Sequence, residues 1–201
     1  MIRPLLWLPL LALSIEPALA QASIEKQAQK LHKLAGGEWC QPEIAAGLDP
    51  ENGAYQEWTL TYTPDYEGAE TETMTLVRLF CMAGAYNVQH SYYLYREYEG
   101  LMPLAFAVPT FELEYENDDS FEGELLGIEL NGMGAVTTLT NSTFDEETKT
   151  ITSNAYWRGI GDASSIGVWE FREASFALKR YEVDATYDEE VNPQVLVDYD
   201  K

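Results

Sequence analysis

Alternation with a period of two, resumed repeatedly after residue 55, most narrows what this chain can fold into. Trp58, Leu60 and Tyr62 alternate with Glu57, Thr59 and Thr61. In a second run Tyr86, Val88, His90, Tyr92 and Leu94 share one face, and Asn87, Gln89, Ser91 and Tyr93 the other. Residues 136–141, 150–157, 167–171 and 175–183 continue the pattern and are rich in threonine and aromatic side chains. Successive side chains on a strand point to opposite faces, so each run predicts a strand with one buried face. Residues 144–149 and 172–174 carry turn chemistry between neighbouring runs. No helical periodicity intervenes, which argues against parallel βαβ units. The expected fold is mainly β, with antiparallel sheets packed as a β-sandwich or a partly closed barrel. One amphipathic helix is expected ahead of them, over residues 23–33. There Ile24, Ala28, Leu31 and Leu34 recur at helical spacing, Ser23 offers a cap and Gly36-Gly37 a stop.

The N-terminus predicts export. Arg3 precedes an apolar stretch from Leu5 to Leu13 that is too short to cross a bilayer. Ala18-Leu19-Ala20 then gives the small-x-small site of a secretory signal peptide. Residues 1–20 are expected to be removed, leaving residues 21–201 as a single acidic β-rich domain in the periplasm. Gln21 stands where a lipoprotein would carry cysteine. No later apolar run approaches the length of a membrane span, so membrane insertion is not expected.

Charge selects among partners. Thirty-four acidic side chains against 12 basic ones give a formal net charge of −22. Such a field repels nucleic acid and anionic membranes and draws basic proteins and divalent cations. Solubility alone accounts for the same field. The composition, 46% hydrophobic and 12% aromatic, suits a packed core. Only Cys40 and Cys81 are present, and in an oxidising compartment they are expected to form one disulfide. Closing a loop of that length contributes about 4 kcal/mol in the chain-entropy description.

Signals for catalysis and for metals are weak. The chain has two histidines: His32 on the expected helix, and His90, which parity places on an apolar strand face. No serine-hydrolase elbow, zinc-protease or phosphate-loop pattern occurs. A carboxylate pair for glycan hydrolysis would have to be assembled by the fold. Glu112, Glu114, Glu116, Asp118, Asp119, Glu122 and Glu124 form an acidic tract, read as a solvated strand edge and turn. Within it Asn117, Asp118, Asp119 and Glu122 could offer oxygens to calcium, but without the spacing of an EF-hand. Asp145-Glu146-Glu147 is a weaker case of the same kind. No cofactor, metal site or catalytic residue is assigned. Asn141-Ser142-Thr143 matches a glycosylation acceptor, taken as incidental.

Two segments remain: Cys81-Met82-Ala83-Gly84-Ala85-Tyr86-Asn87 and Trp157-Arg158-Gly159-Ile160-Gly161-Asp162. They admit two readings. In one, Gly84, Tyr86, Asn87, Trp157, Arg158, Gly159 and Asp162 form a shared binding surface. In the other they are fold-defining turns, with Arg158 paired to a carboxylate and the aromatics in the core. With Phe144-Asp145 and residues 148–153 between them, these segments resemble a family of exported bacterial proteins known only as a domain of unknown function. The likeness spans roughly residues 81–181 and implies a periplasmic location with no established activity. The chain departs from that family at Ala163, where members carry cysteine, and in its shorter N-terminal half. Cys40 is the substitute partner for Cys81 that this departure suggests. The expected function is a non-enzymatic periplasmic binding or envelope-associated protein. One alternative is an inhibitor of a basic cell-wall hydrolase such as lysozyme, although Ala83-Gly84-Ala85-Tyr86 only faintly echoes an inhibitor loop. A second is a hydrolase of envelope glycans.

Overall fold

The structure is a computed structural model that describes residues 16–40, 55–118 and 123–199. It opens with one helix, α1 (Glu16–Gly36), followed by twelve strands in two five-stranded antiparallel sheets and one two-stranded ribbon. The first sheet runs β1 (Tyr55–Tyr62), β2 (Glu72–Ala83), β3 (Val88–Arg96). Beside β3 two short strands lie end to end: β4 (Gly100–Pro103) pairs with residues 93–96 and β7 (Thr138–Thr140) with residues 89–91. Between β4 and β7 the chain leaves the sheet as a long ribbon, β5 (Phe106–Tyr115) and β6 (Leu125–Val136). The second sheet is β8 (Thr143–Asp145), β9 (Thr150–Tyr156), β10 (Ser164–Arg172), β11 (Ser175–Asp184) and β12 (Gln194–Asp198), in spatial order β12-β11-β10-β9-β8.

The two sheets face each other and do not close into a barrel. Leu60, Met74, Leu76, Tyr92 and Leu94 of the first sheet meet Ile151, Trp169, Phe176 and Leu178 of the second. Trp58, Leu60 and Tyr62 all join this cluster, as their alternation predicts. Phe106, at the root of the ribbon, sits among Tyr92, Trp169 and Phe176, with ring centroids 5.7, 5.5 and 6.2 Å away. Burying large aromatic side chains in this way is the dominant favourable term in such a fold.

The helix adds a third layer. Ile24 and Ala28 pack on Val77, Leu79 and Tyr93, the other face of the first sheet. Strand β2 is therefore covered on both sides, and its nearly unbroken apolar run lacks the alternation that would mark it as a strand. A buried imidazole fixes the helix in place: His32 Nε2 donates to the Phe80 carbonyl at 2.8 Å, and Nδ1 accepts from the Tyr93 hydroxyl at 3.0 Å. Burial lowers the His32 pKa, which suits this neutral tautomer. Gly37, at φ 54°, ends the helix as expected. The Cys40–Cys81 disulfide then ties the following turn to β2. A Cβ on Gly36 would stand 2.6 Å from Cys40 Cβ and closer still to Sγ, so this helix end requires glycine.

Several expectations change. The helix begins at Glu16, seven residues before Ser23, because residues 16–22 are mostly strong helix formers with Pro17 in the first turn. Ser23 is thus inside the helix and does not cap it. Of the expected leader, residues 1–15 lie outside the described residues, as do residues 41–54 with their expected loop at 47–53. Tyr86 precedes β3 and sits in a turn. The strand expected over 136–141 is broken after Val136. No helix among the described residues is long and apolar enough to cross a membrane.

Trp169 illustrates how tightly the second sheet is specified. A register shift between Val168 and Trp169 re-aims the indole, whose Nε1 donates to the Ala107 carbonyl of the ribbon at 2.8 Å. The ring lies over Gly167, where a Cβ would stand 2.7 Å from Cζ3, 2.9 Å from Cζ2 and closer to Cη2. Gly167→Ala is expected to cost about 2 kcal/mol by overpacking, read as a lower urea midpoint; an unchanged midpoint would show that the ring has room.

Candidate functional site

The fold brings the two singled-out segments together at one end of the sandwich. Gly84 N–H donates to the Asn87 carbonyl at 2.7 Å and closes the turn before β3. The Asn87 side chain then crosses to the second sheet, its Nδ2 donating to Tyr156 O at 2.8 Å and its Oδ1 accepting from Tyr156 N at 3.2 Å. Asn141 completes the lattice from the link between β7 and β8, in a left-handed conformation with φ 44° that asparagine tolerates. Its Oδ1 accepts from Val88 N at 2.8 Å, and its Nδ2 faces Tyr86 O, Asn87 Oδ1 and Asn154 O at 3.2, 2.9 and 3.0 Å. The Asn141 amide nitrogen, the atom a glycan would occupy, is engaged inside the protein.

The second segment is tied in the same manner. Tyr86 hydroxyl donates to Trp157 O at 3.3 Å, and its ring lies against Gly159, where a Cβ would stand 3.5 Å from Cδ1. Gly161 takes φ 79° beside the Tyr156 ring. Arg158 grips Asp162 with both Nε, at 2.7 Å, and Nη2, while its guanidinium lies over the Tyr187 ring, 5.2 Å from the centroid. Asp162 is 2% exposed and also accepts from the Ala163 and Glu189 amides, each at 2.9 Å. The Arg158 hydrogen bond, outweighing burial and aided by these amides, holds the carboxyl well below the usual carboxylate range.

All seven residues of the candidate surface are thus gathered, but most of their polar groups are turned inward to backbone and to one another. Outward, the region offers apolar surface: Tyr86 is 43% and Ile160 65% exposed, and Trp157 stacks on Phe111 of the ribbon at 6.4 Å. Ala163, the position where the resemblance expects cysteine, is fully buried.

A buried polar cluster lies where no local signal announced it. Arg78, from the apolar run of β2, donates through Nη1 to Ser142 O at 2.5 Å and lies 5.9 Å from the Trp58 ring centroid. Ser142 Oγ accepts from the Tyr92 hydroxyl at 3.0 Å and lies 3.1 Å from His90 Nδ1. His90 faces the core, as its parity predicts, and is fully buried. Burial, and then the charge of Arg78, push its pKa down to about 3. A sealed, neutral imidazole has no route to a substrate, so the Ser142–His90 contact is a structural one.

The other candidates resolve as follows. Asn117 and Asp118 fall in a short 3-10 turn after β5, both at positive φ, while Asp119 and Glu122 lie outside the described residues. Asp145 accepts from the Thr148 and Glu147 amides, each at 2.8 Å, and these bonds lower its pKa; it shapes the β8–β9 turn. Among the described residues no group of three or more His, Cys, Asp or Glu is arranged to hold a metal ion. Beside the disulfide, a cleft of about 400 Å³ opens between Trp39, Cys81, Met82, Gln89 and Leu104, with Trp39 77% exposed.

Two outcomes follow from these hydrogen bonds. His90 has a folded pKa near 3 against about 6.5 unfolded, so the unfolded chain takes up the proton first. Stability present above pH 6.5 is lost as pH falls towards 3, by about 2 kcal/mol at pH 5. Urea unfolding at pH 7 and pH 5 should show this loss, and His90→Gln should reduce the slope, leaving the contribution of His32, which has the same sign. Asn141→Asp replaces a donor facing three oxygens with an acceptor; it is expected to cost about 3 kcal/mol at neutral pH and less once the acid is protonated. Equal urea midpoints for Asn141→Asp and wild type at pH 7 would remove the lattice from its central role.

Comparison with curated proteins finds no match, nor does comparison with solved structures. Residues 17–188, from the start of α1 past β11 and across both glycine-bearing segments, match the family described as protein of unknown function (DUF1176), and the chain belongs to that family.

Proposed function

We propose that this chain is an exported, non-enzymatic binding domain of the bacterial periplasm whose partner is a basic protein. The observation that carries the reading is the fate of its positive charges. Every arginine among the described residues is held within the protein. Arg96 pairs with Glu72 at 2.7 Å and Glu99 at 2.9 Å, Arg158 with Asp162, Arg172 with Glu170, and Arg180 with Glu182 and Asp198. Arg78 is in the core. With 12 basic side chains against 34 acidic ones, and the described arginines engaged locally, the −22 of the chain acts outward as a strongly negative field. Such a field accelerates encounter with a cationic protein and sets the salt dependence of the complex.

The leader-like N-terminus and the Cys40–Cys81 disulfide support an oxidising, exported setting. The neutral, buried state of His32 and His90 supports a role without general-base chemistry. Within this reading, inhibition of a basic cell-wall hydrolase is the specific form to test. Hen lysozyme is expected to bind at low ionic strength and to lose affinity by about tenfold or more at about 0.5 M salt. Calorimetry measures the affinity and a cell-wall lysis assay the inhibition. Absence of binding at low salt would overturn the basic-partner reading; binding without inhibition would keep it and dismiss the inhibitor.

A further inference from the structure

We infer that the free edge of β6 is a docking site for an extended, basic segment of a partner protein, which adds to the ribbon as a third strand. The inference rests on the basic-partner reading above and assigns it a place. Among the described residues β6 pairs only with β5, so its other edge presents backbone N–H and C=O groups to solvent. The other edges are shorter or interrupted. β1 has eight residues, β4 has four and ends in Pro103, β5 carries Pro109, β7 and β8 have three each, and β12 has five and follows Pro193. Strand β6 is 12 residues long, with Glu129 as its one charge and no lysine, arginine or proline. Bulges at Leu126 and Asn131 interrupt the edge and leave residues 127–130 and 132–136 as the regular stretches along which a strand can pair.

The side chains along this edge say what kind of strand fits. The register sets Pro109 opposite Met133, Phe111 opposite Leu130, Leu113 opposite Ile128 and Tyr115 opposite Leu125, an entirely apolar ladder on one face of the ribbon. Its β5 half is covered: Phe111 stacks on Trp157, and Tyr115 is buried with its hydroxyl bonded to Ala185 O at 2.7 Å. Its β6 half overhangs, leaving Leu130 and Met133 each 47% exposed. The opposite face is acidic, with Glu112 directly across from Glu129 and Glu114 one pair further out. Like charges opposite each other are unfavourable, and a cation on the next strand relieves them. An incoming strand therefore needs apolar side chains on the ladder face and lysine or arginine on the other. A second copy of this chain would bring its own −22 and is disfavoured by that repulsion.

The test uses the full chain and two labelled probes of equal charge: a peptide of about ten residues alternating Lys and Val, and a counterpart with the same number of lysines and with proline at both odd and even positions, so that neither edge keeps a continuous row of N–H donors. The Lys-Val peptide is expected to bind at least about tenfold more tightly in fluorescence anisotropy. The double variant Leu130→Gln/Met133→Gln is expected to remove that preference, as is Glu112→Gln/Glu129→Gln, with melting temperatures near wild type. These positions are exposed, so a folding defect is separable by the melting curve. Equal affinity of wild type for the two peptides would overturn strand addition, while lysozyme binding decides the basic-partner reading separately. A preference that survives both double variants would also overturn the site. So would a dimer in sedimentation that the Leu130→Gln/Met133→Gln variant dissolves, since the occupant would then be a second copy.

Discussion

Two side-chain amides hold the two sheets in register at one end of the sandwich. Asn87 and Asn141 come from the first sheet's strand ends, and between them they satisfy backbone groups of Tyr86, Val88, Asn154 and Tyr156. Buried backbone groups that face away from both ladders need such partners, because leaving them dry costs about as much as losing a hydrogen bond outright. An amide is suited to the position because it supplies donors and acceptors in one plane. Of the glycines in these turns, Gly161 is the one the arrangement requires: it takes φ 79° and a Cβ there would stand 3.3 Å from the Tyr156 ring, whereas Gly84 and Gly159 leave ordinary van der Waals room.

The other end of the architecture depends on layering. The first sheet is packed on both faces, by the second sheet through the Tyr92–Phe106–Trp169 aromatics and by α1 through Ala28 and Ile24. His32 and the disulfide attach the helix by chemically independent means, one a pair of hydrogen bonds and one a covalent tie. Removing the strand position beside β3 from continuous use, by splitting it into β4 and β7, is what releases the ribbon. The ribbon is then held by its root and by one side of its apolar ladder.

Much of this was legible in the residues. Alternation located β1, β3, β9, β10 and β11, and the turn chemistry at residues 144–149 and 172–174 marked the hairpins that join them. The leader-like N-terminus and the cysteine count anticipated the disulfide. What escaped had physical causes. Strand β2 is buried on both faces and so shows no period of two. The acidic tract read as a strand edge and turn does hold the end of β5 and the turn after it, but the first half of β5 and the glycine-rich β6 carry no clear alternation to mark them. The Arg78–Ser142 contact joins residues 64 apart, and nothing near either one predicts it. The candidate site was legible as a grouping, since its seven residues do converge, whereas the inward direction of their polar atoms is set by Asn141 and Glu189, neither of which belongs to the motifs.

The seating of Trp169 on the bare backbone of Gly167 has an optical consequence. Its indole is 1% exposed, whereas Trp39 is 77% exposed beside the disulfide. Of the chain's five tryptophans these two mark the extremes, one in a dry, rigid setting and one in water, so an added solute quenches Trp39 well before Trp169. Blue-edge light reports the integrity of the sandwich, and red-edge light reports what approaches the flank.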